Sequence, residues 1–571
     1  MGFDSLPSSS LSLRPSRPCR GFPSRSILDF ARNDRYQMLL STLKSAPATY
    51  AILFFACVLF HILGTWSLPL IDRDEPRFAE ASREMIQRGN YIVPYFNDKL
   101  RLDKPPLTYW AQIACYHFFG ENDFAARFPS AIAAALTAIV ILVWGRQMGA
   151  EKLGWWAAII FTLSLQTFVH AKAAVADMWL VLFMTLAHWA GYELIQRRTP
   201  NSERIRERAA QRPTLKQGAA VSSGAVALGK TTRPPWAIWK SPFLVFYLAL
   251  ALGFLAKGPI AWTPLLTVGV LIIYTRNWQA ARRFKFIGGI LLTLVLVALW
   301  GIPALIQTRG EFFVIGIGRH VVSRSFTTLE GHGASSLGMY VLLLPFYFLT
   351  VFISFFPWSI KLPWLAQRLW RNEKAGVDAP GYNRHPIDAY LITGIAIVFV
   401  IFTLVSTKLP HYTLPALPLL ALLLVRHWHQ AGAAESARFR LARIAITIAC
   451  VWITVALVVP PIVARFFPAY QLLQVSRASL RPNMQFAAVE FQEPSLVWNF
   501  RSRVQGFLTP LNKRRAAQFM SAPDPRFIVL PTPVAGELFA NPPGGWRFFT
   551  VNGFNIAKGQ RVDLTLVLKP E

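Results

Sequence analysis

The hexapeptide Asp72-Arg73-Asp74-Glu75-Pro76-Arg77 follows directly on an apolar run, so three carboxylates and two guanidinium groups stand where the chain would leave hydrocarbon. Carboxylates in such a place are costly without partners. Two readings stand side by side. In one, the acids open a helix, with Asp74 as its N-cap; in the other, Asp74 is a general base or electrostatic anchor at a lipid-facing pocket, with Glu75 as its partner. Asp103-Lys104 precedes the rigid Pro105-Pro106 turn, and Asp177 stands between two apolar runs in AKAAVADMWLVLF. Counting spans puts all of these acids on one side of a membrane.

Arg127, Lys172, Lys257 and Lys408 end apolar runs on that same side, against the usual excess of cations on the inner face. Singly, each reads as a side chain snorkelling to headgroups. Together, opposite Asp74, Asp103 and Asp177, they suit an anionic lipid headgroup such as a phosphate. Transfer of a group from a lipid phosphate needs cations for the departing phosphate and a nucleophilic acceptor. Arg77, Lys104 and Arg127 are the candidates nearest the acids, with Lys257, Lys408 and Tyr412 further out; Asp74 is the base for a hydroxyl acceptor. The glycine-bearing stretch 308–336 adds Glu311, Arg319, His320, Arg324 and His332. A lone histidine is more often structural than a metal ligand, and the shared side with the acids is what singles out His320.

These residues need a scaffold, and the composition points to the bilayer. Of 571 residues 53% are hydrophobic and 15% charged, against about 25% charged in an average soluble domain. The net charge of +30 does not mark a nucleic-acid partner, because the basic residues cluster in short segments between apolar runs. A span needs about 20 apolar residues, and eleven candidates occur, near 48–70, 124–144, 153–171, 177–196, 241–257, 259–275, 286–307, 337–362, 387–407, 409–428 and 441–465. The stretch 197–240 holds ten Lys and Arg against two acids and is assigned to the cytoplasm, whereas 72–104 holds seven acids and seven bases and is assigned outside.

Outside, 76–88 reads as an amphipathic juxtamembrane helix, with Phe78, Ala81 and Met85 on one face and Arg77, Glu80, Glu84 and Arg88 on another. A second interfacial helix is expected over 105–119. Residues 1–46, rich in Ser, Pro and Arg and without a secretory signal pattern, read as a disordered cytoplasmic tail. Past 465, strand-length runs at 526–531, 546–551 and 562–568 with a helix near 512–521 predict a small extracytoplasmic α/β domain over 466–571. The catalytic body is then 47–465, with its first outer loop at 71–123. The four cysteines give no disulfide framework.

Residues 73–110, RDEPRFAEASREMIQRGNYIVPYFNDKLRLDKPPLTYW, resemble the start of the aminoarabinose transferase family, membrane glycosyltransferases related to the protein O-mannosyltransferases. Asp-Glu-x-Arg-Phe-Ala-Glu, Arg-Glu-Met, Tyr-Ile-Val-Pro and an acid-Lys-Pro-Pro follow in the family's order. FAARFPS (124–130), AVADMW (174–179), LAKGP (255–259), EFFVIGIGRHVVSRSF (311–326) and STKLPHYTLPALP (406–418) extend the likeness to about residue 430.

The resemblance implies an all-α polytopic membrane protein of the GT-C type, with about eleven spans where the family has thirteen, plus the small C-terminal α/β domain. It implies a polyprenyl-phosphate donor of 4-amino-4-deoxy-L-arabinose or a related sugar, and a cell-envelope acceptor such as lipid A or another glycan, reached from the outer face of the inner membrane. Asp74 would be catalytic and Asp177 a second carboxylate in the cavity. Asp103 and His320 would stand at the family's zinc-binding positions; Asp in place of Glu shortens that reach by one methylene, and a zinc or other divalent ion is the one cofactor in question. A protein O-mannosyltransferase-like activity and a lipid or solute transporter are the competing readings; transporters carry their ionisable site near the midplane of repeated halves, and no repeat occurs in this sequence.

Overall fold

In the computed structural model the described residues are 46–148, 151–196, 241–323, 337–377, 386–431 and 435–570. The expected tail, apart from Ala46, and the basic 197–240 stretch lie outside them.

The first half of the bundle consists of α1 (Ala46–Ile62), α2 (Asp74–Arg88), α3 (Leu107–Phe119), α4 (Asp123–Gln147), α5 (Glu151–Leu163), α6 (Leu165–His170) and α7 (Asp177–Gln196). A two-stranded ribbon, β1 (Tyr95–Phe96) and β2 (Lys99–Leu100), links α2 to α3. After the basic stretch come α8 (Pro242–Lys257), a 3-10 turn (Pro259–Trp262), α9 (Thr263–Thr275), α10 (Trp278–Phe284), α11 (Phe286–Gln307) and a π-helical turn (Phe312–Ser323). The second half holds α12 (Leu337–Leu342), α13 (Phe346–Ser354), α14 (Leu362–Val377), α15 (Pro386–Leu404), α16 (Leu417–Gln430) and α17 (Glu435–Val463).

Among the described residues five helices are long and apolar enough to cross a bilayer: Asp123–Gln147, Asp177–Gln196, Trp278–Gln307, Pro386–Leu404 and Leu441–Phe466. Each answers to an expected span. The remaining six expected spans coincide with apolar elements that are shorter or broken, such as Pro242–Lys257. The expected 337–362 span is one of these: Phe346–Ser354 and Trp358–Arg371 meet at a bend of 119°. Local chemistry explains where α4 starts and what it rests on. Asn122 caps it, its side chain accepting from the Ala125 N–H at 2.9 Å. At its other end a Cβ on Gly145 would stand 2.4 Å from the Gly154 Cα, so α4 and α5 meet where neither carries a side chain.

The interfacial helices α2 and α3 occur where periodicity placed them. Helix α2 begins at Asp74, two residues before Pro76, and ends on Gly89 at φ 62. The N-cap is Arg73, without a side-chain cap bond, so Asp74 lies inside the first turn and is not the N-cap. Phe78, Ala81 and Met85 are buried against Tyr109 and Ile113 of α3 as expected. Glu80 and Glu84, read as lying on another face of the helix, are also buried. What covers them is the C-terminal segment.

That segment comprises α18 (Pro468–Ser476), β3 (Gln485–Val489), α19 (Pro494–Phe500), β4 (Leu508–Leu511), α20 (Lys513–Ser521), β5 (Arg526–Pro531), α21 (Thr532–Leu538), β6 (Arg547–Asn555) and β7 (Gln560–Lys569). Its five strands run in the order β4-β3-β5-β7-β6. β3 pairs parallel with β4 and β5, and β7 pairs antiparallel with β5 and β6. Stacked Phe486 and Phe527, with Phe500 of α19 beside them, fill one face of the sheet.

Candidate active site

Helix α7 opens on Asp177, and α8 ends on Lys257; these two helices pack together and bring the pair to one end of the bundle. The Lys257 ammonium donates to Asp177 Oδ1 at 2.5 Å. His411, in the 3-10 turn Pro410–Ala416 before α16, approaches the same carboxylate at 3.9 Å. The Lys257 Nζ lies 5.9 Å from the Tyr412 ring centroid, and the Tyr412 ring packs on Phe402 at 4.7 Å. Around these groups opens a cavity of about 470 Å³. Lys104, Asp177, Lys257, His411 and Tyr412 supply its polar lining, and Leu265, Leu266, Ile401 and Val405 its apolar wall. Four of the residues singled out from the sequence, Lys104, Asp177, Lys257 and Tyr412, on four distant stretches of chain, therefore converge.

Asp74 is exposed at the head of α2 and, among the described residues, its carboxylate takes part in no hydrogen bond. Its electrostatic partners are Arg101 and Tyr109, both buried. Arg101 donates to the Tyr109 hydroxyl at 2.9 Å and to Asp103 Oδ2 at 3.3 Å, its Nε lying 3.1 Å from Asp103 Oδ1. Burial opposes the Arg101 charge, but Asp103, Tyr109 and Asp74 together carry its pKa above the ordinary guanidinium value. Burial pushes the Tyr109 phenol up, so it stays protonated at neutral pH. The segment from Arg101 to Lys104 thus links two sets of groups, the Asp74 cluster and the cavity.

Other expected residues are placed apart. Glu75 and Arg127 form one buried pair: Arg127 Nε and Nη2 reach the two carboxylate oxygens at 2.9 and 2.7 Å. Glu75 also accepts from the Ile71 and Ala174 N–H groups at 2.7 and 2.6 Å. Arg127 donates further to the carbonyls of Thr65, Leu68 and Pro69. With every donor turned inward, Arg127 offers nothing to a phosphate, and Glu75 offers no open oxygen to a substrate. The Lys408 ammonium donates to the Phe402 and Thr403 carbonyls at 3.1 and 2.5 Å, at the end of α15. Lys172 does the same for Phe60, His61 and Leu63 at the end of α1. Each of these two ammonium groups caps the carbonyls of a helix end. Arg77 is half-buried and acts on Asp72.

Of the two residues expected at a zinc site, the side chain of one is described. The Asp103 carboxylate is already held by the Arg101 guanidinium, and the His320 side chain lies outside the described residues, as do Arg324 and His332. Among the described residues no group of three or more His, Cys, Asp and Glu is arranged for a metal ion. Three polar residues at the site escaped the sequence reading. His411 adjoins Tyr412 in the PHY step, which was its available signal; Arg101 and Tyr109 carry no pattern that separates them from a loop cation and an interfacial aromatic.

A family model described as dolichyl-phosphate-mannose-protein mannosyltransferase matches residues 103–202. The undecaprenyl phosphate-alpha-4-amino-4-deoxy-L-arabinose arabinosyl transferase of Aeromonas salmonicida is 27% identical over 376 residues, 65% of this chain and 58% of that protein. Transferase 2 of the same description from Sodalis glossinidius is 28% identical over 409 residues, 71% of this chain and 64% of that protein. The match therefore spans less than two thirds of these relatives' length. The crystal structure of ArnT from Cupriavidus metallidurans bound to undecaprenyl phosphate superposes with a TM-score of 0.65 at 18% identity, over 91% of this chain and 98% of that one, which is a likeness of fold. By sequence and by fold, this chain is similar to the undecaprenyl-phosphate aminoarabinose transferases.

Proposed function

We propose that the chain is an integral-membrane glycosyltransferase that moves a sugar, 4-amino-4-deoxy-L-arabinose or a close relative, from a polyprenyl phosphate to a cell-envelope acceptor such as lipid A. The observation that carries this reading is the cavity's two-sided lining. Lys104, Asp177, Lys257, His411 and Tyr412 give the cavity charged and polar groups, and most of the remaining wall is aliphatic and aromatic. A polyprenyl phosphate has that division of chemistry.

In this reading the acceptor oxygen attacks the anomeric carbon, the bond from that carbon to the phosphate oxygen breaks, and the phosphate leaves with the bonding pair. Lys104 and Lys257 offset the charge that develops on it, where low dielectric strengthens them. Asp177 holds Lys257 at the cavity, with His411 behind the same carboxylate. Asp74 takes the proton of a hydroxyl acceptor; a phosphate acceptor is already ionised, and Asp74 then orients it in the field of Arg101. No step is assigned to a metal.

The same reading makes the protein a multi-pass component of the inner membrane, with about eleven spans over 47–465. Its N-terminus is cytoplasmic, and 466–571 forms an outer domain. The family model's description leaves a protein acceptor as the second reading. The test is to incubate the purified full-length protein in lipid with undecaprenyl phosphate-aminoarabinose and lipid A. The expected product is lipid A heavier by one aminoarabinose residue. Lipid A of unchanged mass overturns the proposal, and a mannose added to a protein from a lipid-phosphate donor establishes the second reading instead.

A further inference from the structure

The place of Asp74 is set by backbone alone, since no hydrogen bond among the described residues holds its carboxylate. Its neighbours on either side of the helix start are held from opposite directions. Glu75 is tied to Arg127 of the bundle, as described above. Asp72 turns the other way, into the C-terminal domain: Ser495 donates to both of its oxygens, through its N–H at 2.7 Å and through its hydroxyl. Arg73 lies 3.8 Å from Glu493, two residues before Ser495.

A second attachment lies further along α2. Arg501, at the end of α19, pairs with Glu80, lies 3.3 Å from Glu84 and donates to Gln87 at 2.8 Å. Arg83 completes the cluster, pairing with Glu80 at 2.7 Å and Glu121 at 2.8 Å and donating to the Trp498 carbonyl at 3.1 Å, with its guanidinium 3.8 Å from the Trp498 ring centroid. Glu80, Arg83, Glu84 and Arg501 are all buried. A buried charge cluster is a weak source of net stability, because desolvation cancels most of the attraction. What it supplies is a single allowed geometry, since any shift strands a charge away from water. Asp72 and Glu80 are eight residues apart, so the two attachments fix the axis of α2 as well as its position, by roughly 1.5 Å of rise per residue.

We infer that the C-terminal domain is a positioning clamp for the transfer centre, with Ser495 and Arg501 as positioning residues that act on Asp74 through Asp72 and Glu80. The inference rests on the role proposed above for Asp74. The donor cavity is lined by none of the clamp residues, so the clamp governs the chemical step and leaves donor capture alone. A displacement of about 1 Å at a reacting group is enough to cost about a hundredfold in rate.

The test compares Asp72→Ala, Ser495→Ala, their double variant and Ser495→Thr in the full-length protein, with rates expressed per folded molecule. Each single alanine variant is expected to lower kcat at least about tenfold while the donor KM stays within about twofold. The double variant is expected to be no slower than the slower single, because both remove one contact, and threonine, which keeps the hydroxyl, restores kcat. For the second attachment Glu80→Gln combined with Arg501→Met removes one charge of each sign from the cluster and is expected to lower kcat per folded molecule with the donor KM unchanged. Unchanged kcat in both single variants, or a donor KM that rises in step with the loss, overturns the inference. Amide exchange over 71–75 is read in parallel: faster exchange confined to that stretch in Ser495→Ala supports the clamp, and unchanged exchange sinks it. If the wild-type protein transfers no aminoarabinose, the proposed function fails, and the exchange result still decides the clamp.

Discussion

Arg127 grips Glu75 through two nitrogens, at 2.9 and 2.7 Å, and both side chains are buried where α4 meets the start of α2. Adjacent in sequence, Asp74 and Glu75 have opposite fates, one exposed and one saturated with donors.

Removing one partner of that pair leaves the other charge buried and unpaired, which costs about 3–5 kcal/mol. Glu75→Gln is therefore expected to lower the melting temperature and the yield of folded protein. The donor KM of the molecules that do fold should match wild type. A Glu75→Gln protein with wild-type stability and a raised donor KM would return Glu75 and Arg127 to the phosphate site.

Asp74→Asn tests the exposed neighbour. Surface substitutions of this kind change stability by about 0.5 kcal/mol or less, so the melting curve should not move. Loss of a positioned general base costs about 10²- to 10⁴-fold in rate, and kcat is expected to fall within that range on a hydroxyl acceptor. Near wild-type turnover by folded Asp74→Asn protein removes Asp74 from the mechanism.

Lys104→Ala and Lys257→Met each delete a cation from the cavity. A hydrogen bond to a charged group is worth about 1.5–3 kcal/mol, so donor affinity should drop by about ten- to a hundredfold in each. Lys257→Met also leaves the Asp177 carboxylate without its ammonium and is expected to cost stability as well. Binding of undecaprenyl phosphate without sugar, measured on both variants, checks the assignment. Affinity equal to wild type in both would show that the cavity holds something other than a phosphate.

Much of the scaffold is legible from apolar runs, because crossing a bilayer imposes a length and a composition on each segment separately. The juxtamembrane helices are legible for a related reason: Phe78, Ala81 and Met85 recur at helical spacing and pack on α3. The other face of α2 is not. Charges at Glu80 and Glu84 look the same whether they face water or Arg501, and that partner lies 421 residues away. Lys172 and Lys408 bond to carbonyls of helix ends, partners that have no sequence signature at all. Strands β3 and β4 went unmarked because they are five and four residues long, the latter with Pro510 inside it. What did converge, Lys104, Asp177, Lys257 and Tyr412, lies in stretches matched by motif, where several residues had to agree at once.

The Asp72–Ser495 contact carries a pH signature. Burial, the largest cause, raises the Asp72 carboxyl from 3.8 to about 6; the two Ser495 bonds and Arg77 pull it back, and Glu493 pushes it further up. The folded protein therefore keeps a proton on Asp72 between about pH 4 and 6 that the unfolded chain has already released. Stability from this group is present in full below about pH 4 and falls as pH rises to about 6, the slope following the proton difference between the two states. Asp72→Asn, a neutral isostere, removes that slope. Melting temperatures of wild type and Asp72→Asn, taken every half unit from pH 4 to 7.5, should diverge in favour of the variant as pH rises and then run parallel above about pH 6.5. Other groups titrate in this window, but they contribute equally to both proteins and cancel in the difference. A difference that stays constant across the range would mean that Asp72 ionises normally, with water reaching the crevice between α2 and α19.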